Sequence, residues 1–194
     1  MIEFVLSSHN EHKCQEIQAM LKGIARISNL DQYNITDNIP ETGTTFEENA
    51  LQKAEYVYTR LGKNCFADDS GLMVDVLNGA PGVWSARYAG EPSNNERNID
   101  LLLKNLEGAK DRTARFVTVI AAIIDGKHYF FKGEVKGQII TERHGTGGFG
   151  YDPIFVPDGY NQTFGELSAE TKNGISHRAN AIKKFAEFLS SIKQ

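Results

Sequence analysis

The chemistry in this chain rests on Glu41, Asp68 and Asp69, on Lys13, Lys53 and Lys172, and on the glycine-rich stretch from Gly145 to Pro153. Asp68 and Asp69 are adjacent carboxylates followed by Ser70 and Gly71. Two neighbouring acids are unfavourable unless a cation or hydrogen-bond donors compensate them. In extended backbone, neighbours point to opposite faces, so one acid can face a site while the other bonds elsewhere. Glu41 follows Pro40 in a polar segment and offers a second oxygen for a metal. Few carboxylates, completed by waters and phosphate oxygens, suit Mg²⁺. A turn rich in capping acids is the competing structural reading.

Donors for an anion come from two further segments. Ser7-Ser-His-Asn-Glu-His-Lys13 follows an apolar strand and opens a helix, where unpaired N–H groups favour negative charge. Asn10 and Lys13 add side-chain donors there, and a capped helix with a surface lysine is the alternative. His9 and His12 lack a third ligand at useful spacing, so they read as solvated loop histidines. Lys53 lies seven residues after Phe46 on a predicted helix, near its apolar face, although a lysine can also snorkel to the surface from there. Lys172, His177 and Arg178 gather donors at the start of the last helix, where the dipole disfavours cations and an acceptor is called for.

The stretch Gly145-Thr-Gly-Gly-Phe-Gly-Tyr-Asp-Pro153 contains G-x-G-x-x-G, the dinucleotide fingerprint. That fingerprint requires a helix opening at the last glycine. Here Asp152-Pro153 and the apolar Ile154-Phe155-Val156 follow, which read as turn and strand. A loop holding a base or sugar between Phe149 and Asp152 fits better than a nicotinamide-binding turn.

The elements that position these residues alternate at first. Ile2–Leu6 reads as a strand and 11–22 as a helix. Thr44 and Thr45 each begin a capping box ahead of a helix that Gly62 stops. Cys65–Ala67 reads as a strand end running into Asp68-Asp-Ser-Gly71, with another strand over Leu72–Leu77. Ser93-x-x-Glu96 reads as the cap of a helix ended by Gly108. Asp125-Gly126 between two apolar runs predicts a hairpin with a type I′ turn. A further strand is expected near Gln138–Thr141, and a last helix from about His177. The pattern argues α/β with a mixed twisted sheet and flanking helices, in one domain over 1–194.

Bulk properties narrow the partners. A formal charge of −4 gives no global basic field for nucleic acid. Cys14 and Cys65, with no C-x-x-C pair, read as free thiols in a reducing compartment. No signal peptide is evident, and the longest apolar run, Val119–Ile124, is too short for a bilayer. The expectation is a cytoplasmic protein with neither nucleic acid nor membrane as partner.

Several long motifs, in order, resemble the inosine triphosphate pyrophosphatase family. They are Ser8-His-Asn-Glu-His-Lys13, Glu41-Thr-Gly43 with Phe46-Glu-Glu-Asn-Ala50 and Lys53, Phe66-Ala-Asp-Asp-Ser-Gly-Leu72, Gly79-Ala-Pro-Gly82, Ser85-Ala-Arg-Tyr88, Gly145 to Pro153, and Ile175-Ser-His-Arg178. One departure lies in the first loop, where Ser8 and His9 replace the family's Thr-Gly and His12 replaces a small or basic residue.

The resemblance implies two lobes around a central cleft, usually a homodimer, and Mg²⁺-dependent hydrolysis of ITP, dITP and XTP. It implies Asp69 as general base, and Glu41 with Asp69 on the metal. Substrate contacts would come from Ser8, His9, Asn10, Glu11, His12, Lys13, Lys53, Ser70, Phe149, Gly150, Tyr151, Asp152, Lys172, His177 and Arg178. A Maf-like pyrophosphatase for other modified nucleotides and a nucleotide-binding regulator without catalysis are the alternatives.

Overall fold

In a computed structural model that describes residues 2–192, with the His12 side chain outside the described part, six strands form one mixed sheet. The strands are β1 (Ile2–Leu6), β2 (Ala25–Ser28), β3 (Cys65–Val74), β4 (Thr113–Ile124), β5 (Lys127–Ile139) and β6 (Phe155–Pro157), in the order β2-β1-β3-β4-β5-β6. β1 pairs in parallel with both β2 and β3, whereas β5 and β6 are antiparallel. The helices are α1 (Glu11–Met20), α2 (Phe46–Leu61), α3 (Asn95–Asn105), α4 (Ala169–Ile175) and α5 (His177–Ser191).

The local signals act where the sequence places them. Thr45 caps α2: its hydroxyl accepts from the Glu48 N–H, and the Glu48 carboxylate answers at the Thr45 N–H. Gly62 ends that helix in the left-handed conformation, with φ 59°. Asp125 and Gly126 both have positive φ, 49° and 77°, as a type I′ hairpin turn between β4 and β5 requires.

Three local expectations are corrected. The two strands expected on either side of the acids are one, and the competing turn reading falls: β3 runs unbroken from Cys65 to Val74 through Asp68 and Asp69, and a short 3₁₀ turn, Asp75–Leu77, follows it. Within that extended backbone, Asp68 faces Lys13, and Asp69 faces Asn49 and Lys53. Asn94, not Ser93, caps α3, since its side chain accepts from the Arg97 N–H. The strand expected near Gln138 is the end of β5. β2 and α4 are short elements without an early signal of their own.

The chain divides into two compact units. The first comprises Met1–Asp69, Thr118–Gly133 and Asn180–Gln194, and the second Ser70–Val117 and Glu134–Ala179. In the first, Phe4, Phe66 and Phe185 pack edge to face or tilted, with ring centroids 5.2–6.0 Å apart. A second cluster in that unit joins Val5, Ala54, Val57 and Ile123. The second unit is built on Leu72, Ile99, Leu102, Phe116, Phe155 and Phe164. Cys14 and Cys65 are buried free thiols, and burial pushes the Cys65 thiol up to about 12. No helix among the described residues is long and apolar enough to cross a membrane.

Candidate functional site

In the first unit, α2 gathers the acids. Lys53 Nζ pairs with Glu41 Oε1 and lies 4.0 Å from Asp69 Oδ1. Asn49, one helical turn earlier on the same face, is 1% exposed. Its Nδ2 donates to Asp69 Oδ2 at 3.1 Å, and its Oδ1 accepts from the Gly43 N–H at 2.8 Å. Gln52 Oε1 accepts from the Thr42 N–H at 3.0 Å. The helix thereby fixes the loop that carries Glu41 and orients Asp69 on β3.

Asp68 takes its own cation: Lys13 Nζ donates to Asp68 Oδ1 at 2.7 Å. The strand therefore splits the two acids between different lysines, as alternation along extended backbone allows.

The loop after β1 is held tightly by its own side chains. Asn10 caps α1 by accepting from the Lys13 N–H at 2.9 Å, and Ser8 Oγ accepts from the Asn10 N–H at 3.1 Å. Glu11, expected on substrate, accepts from Asn29 Nδ2 at 2.8 Å and from Gln15. His9 Nδ1 lies 2.6 Å from Asp31 Oδ1, and its Nε2 is 3.4 Å from the Asp37 carbonyl oxygen.

The hydrogen bond to Asp31 raises the His9 pKa above 6.5, against a smaller opposing effect of burial. A raised folded value means that the pair stabilises fully below the unfolded pKa near 6.5 and fades as pH rises through the folded one. Both partners are largely exposed, which keeps the contribution small. An NMR titration is expected to place the His9 midpoint above 6.5, and Asp31→Asn to bring it back down. A midpoint that ignores Asp31→Asn would dismiss the pair.

In the second unit, the glycine loop folds back on its own chain. Gly148 has φ 73°, and a side chain there would run into the Asp152 carboxylate. At Gly145 a side chain would strike the backbone of Gly165. At Gly150 a Cβ meets nothing, so that position is open. Close approach within the chain is thus one cause of the glycines, independent of any ligand. Asp152–Ile154 is a single 3₁₀ turn leading into β6, with no helix, which removes the dinucleotide-fingerprint reading.

Asp152 is 3% exposed; its Oδ2 accepts from the Phe149 N–H at 2.8 Å and pairs with Lys172 on α4. The Lys172 ammonium stands 4.8 Å from the centroid of the Phe149 ring, which is 62% exposed and offers a face for stacking. The Tyr151 side chain points inward and donates to the Ser85 carbonyl at 2.8 Å. His177 is buried, its ring stacked on Phe116 with centroids 5.0 Å apart, and Arg178 beside it is half-buried. Ser70, the first residue of this unit, directly follows Asp69 on β3.

The sequence-expected residues therefore group by unit. Glu41, Lys53 and Asp69 meet in the first, with Lys13 on Asp68 and Asn10 at the α1 cap. Phe149, Asp152 and Lys172 meet in the second. Asn49 was not among the expected residues. Its signal is a polar side chain among Phe46, Ala50, Ala54 and Val57, the buried face of α2.

Among the described residues, no group of three or more His, Cys, Asp or Glu side chains could hold a metal ion. Two carboxylates converging on one ammonium do fit a hard cation that takes its remaining ligands from phosphate and water.

These features define an α/β protein with a mixed sheet, two acids gathered on one lysine, and an aromatic, acid-bearing loop. More particularly, the chain belongs to the Ham1 family, which it matches over residues 4–188. It is 48% identical to the dITP/XTP pyrophosphatase of Flavobacterium johnsoniae, over 99% of this chain and 100% of that protein. It is 47% identical to the dITP/XTP pyrophosphatase of Porphyromonas gingivalis over the full length of both. The structure of the Staphylococcus aureus Ham1 protein superposes with a TM-score of 0.93 at 42% identity, covering 98% of this chain and 99% of that one. The expected family and the mixed α/β fold are thereby borne out.

Proposed function

We propose that this chain is an enzyme that hydrolyses deaminated purine nucleoside triphosphates, ITP, dITP and XTP, to the monophosphate and pyrophosphate. Its role is to clear them from the nucleotide pool. The observation that carries this reading is the convergence of Glu41 and Asp69 on one cation, in a chain 48% identical to a dITP/XTP pyrophosphatase.

Asp69 orients a water and takes its proton as the oxygen attacks the α-phosphorus, and pyrophosphate leaves. Asn49 keeps the carboxylate aimed by holding its second oxygen. Glu41 and Asp69 are the residues that would hold Mg²⁺. The ion, when bound, neutralises charge on the phosphate oxygens and the leaving group. Asn10, Lys13, Lys53 and Lys172 hold the triphosphate.

Phe149 stacks on the purine, Asp152 accepts from the ring N–H, and His177 and Arg178 donate to the 6-oxo group. Adenine presents a 6-amino donor where those residues also donate, leaving polar groups unmatched. A site built around a hydrogen bond can reject such a mismatch by ~10⁴-fold or more. The same reading makes the protein a cytoplasmic homodimer acting on a small nucleotide, with neither nucleic acid nor membrane as its partner.

Pyrophosphate release from ITP, XTP, GTP and ATP, measured side by side, tests the proposal. ITP and XTP are expected to exceed ATP in kcat/KM by orders of magnitude, with activity stopped by EDTA and restored by Mg²⁺. Equal turnover of ATP and ITP would refute the base assignment, and activity that survives EDTA would refute the metal.

A further inference from the structure

Each lysine assigned above to phosphate stands on a carboxylate of the same chain: Lys13 on Asp68, Lys53 on Glu41, and Lys172 on Asp152. The Lys53 pairing differs in kind, because its partners are the acids assigned to the metal. Its ammonium bonds Glu41 and lies 4.0 Å from Asp69, and only 14% of its side chain is exposed. The protein's own ammonium therefore already offsets part of the negative charge of the two acids.

We propose that Lys53 is a placeholder for the divalent cation: it occupies the Glu41–Asp69 seat until nucleotide arrives, then transfers its ammonium to the phosphates. This rests on the metal reading given above and adds an order of events to it. The side chain is suited to such a transfer, being a compact charge on a flexible four-carbon stem. The supporting structure stays in place during it, because Asp69 keeps Asn49 and the Glu41 loop keeps Gln52 and Asn49.

Two consequences follow from charge. Before nucleotide binds, the incoming cation meets an ammonium at its seat and finds no third acidic or imidazole ligand among the described residues. Once phosphates are present, they give Lys53 a new partner and supply the missing metal oxygens. Cation and nucleotide then enter as a coupled pair, and couplings of roughly 5–150-fold are typical of linked sites.

The test is Mn²⁺ binding to the nucleotide-free protein, followed by the EPR signal of the free ion. Lys53→Met is expected to tighten Mn²⁺ binding by about tenfold or more, within the usual range of such couplings. Lys53→Arg, which keeps the charge, should stay near wild type. Adding Glu41→Gln to Lys53→Met should abolish the gain. Lys53→Gln serves in its place if the Met variant does not fold, as judged by thermal melting. Unchanged or weaker Mn²⁺ binding in the neutral variants would overturn the placeholder, as would a gain that survives Glu41→Gln. ITP hydrolysis that persists in EDTA would instead remove the metal reading beneath it, whatever the titration gives.

Discussion

Asp69→Asn is expected to lower kcat for ITP by about 10²–10⁴-fold, the range over which a positioned general base contributes. Nucleotide binding should persist. The substitution is nearly isosteric, and the amide oxygen can still accept from Asn49 Nδ2, which now reaches Asp69 at 3.1 Å. Asp69 is 9% exposed, so a larger change would disturb packing, whereas Asn replaces the basic carboxylate with a neutral amide of nearly the same shape. Lys53 retains Glu41 as its partner, so no buried ammonium is stranded. The measurement is single-turnover pyrophosphate release alongside calorimetric binding of ITP. A kcat within tenfold of wild type would remove Asp69 from its catalytic role. A parallel loss of binding and melting temperature would show that the acid is structural.

The sequence was readable where one residue type suffices for one geometry. Thr45 with Glu48, Gly62, and Asp125-Gly126 each determine a local backbone state, and each acts at its expected position. It was unreadable where a distant partner decides. Asp68-Asp-Ser-Gly71 has the composition of a turn, yet it lies inside β3, where Lys13, Lys53 and Asn49 supply charge and donors from α1 and α2. The family motifs named Glu41, Lys53 and Asp69, but not the lysine's position on the acids, which depends on how α2 meets the loop at 41–43. The glycines near 148 look like room for a ligand in sequence. In the fold, Gly145 and Gly148 are also demanded by Gly165 and Asp152 of the same chain.

Asp152→Ala is expected to destabilise the fold by about 3–5 kcal/mol, the usual result of breaking a buried ion pair from one side. The Asp152 side chain is 4% exposed and that of Lys172 14%, so water can do little for the ammonium left behind. The Phe149 N–H also loses its acceptor, which loosens the loop that presents the aromatic ring. Lys172 would keep its contacts with the Phe149 and Phe164 rings, 4.8 and 5.5 Å from their centroids. Cation–π attraction of about 0.5–2 kcal/mol offsets part of the loss at most. The ion pair and the hydrogen bond can be separated by a second change. Adding Lys172→Met removes the stranded charge while keeping an unbranched chain of similar length, so the double variant should recover a substantial part of the stability. Urea unfolding of the wild type, both single variants and the double variant gives the cycle. If the double variant is no more stable than Asp152→Ala, the stranded ammonium is not the cause, and the loss belongs to the loop and its Phe149 N–H instead.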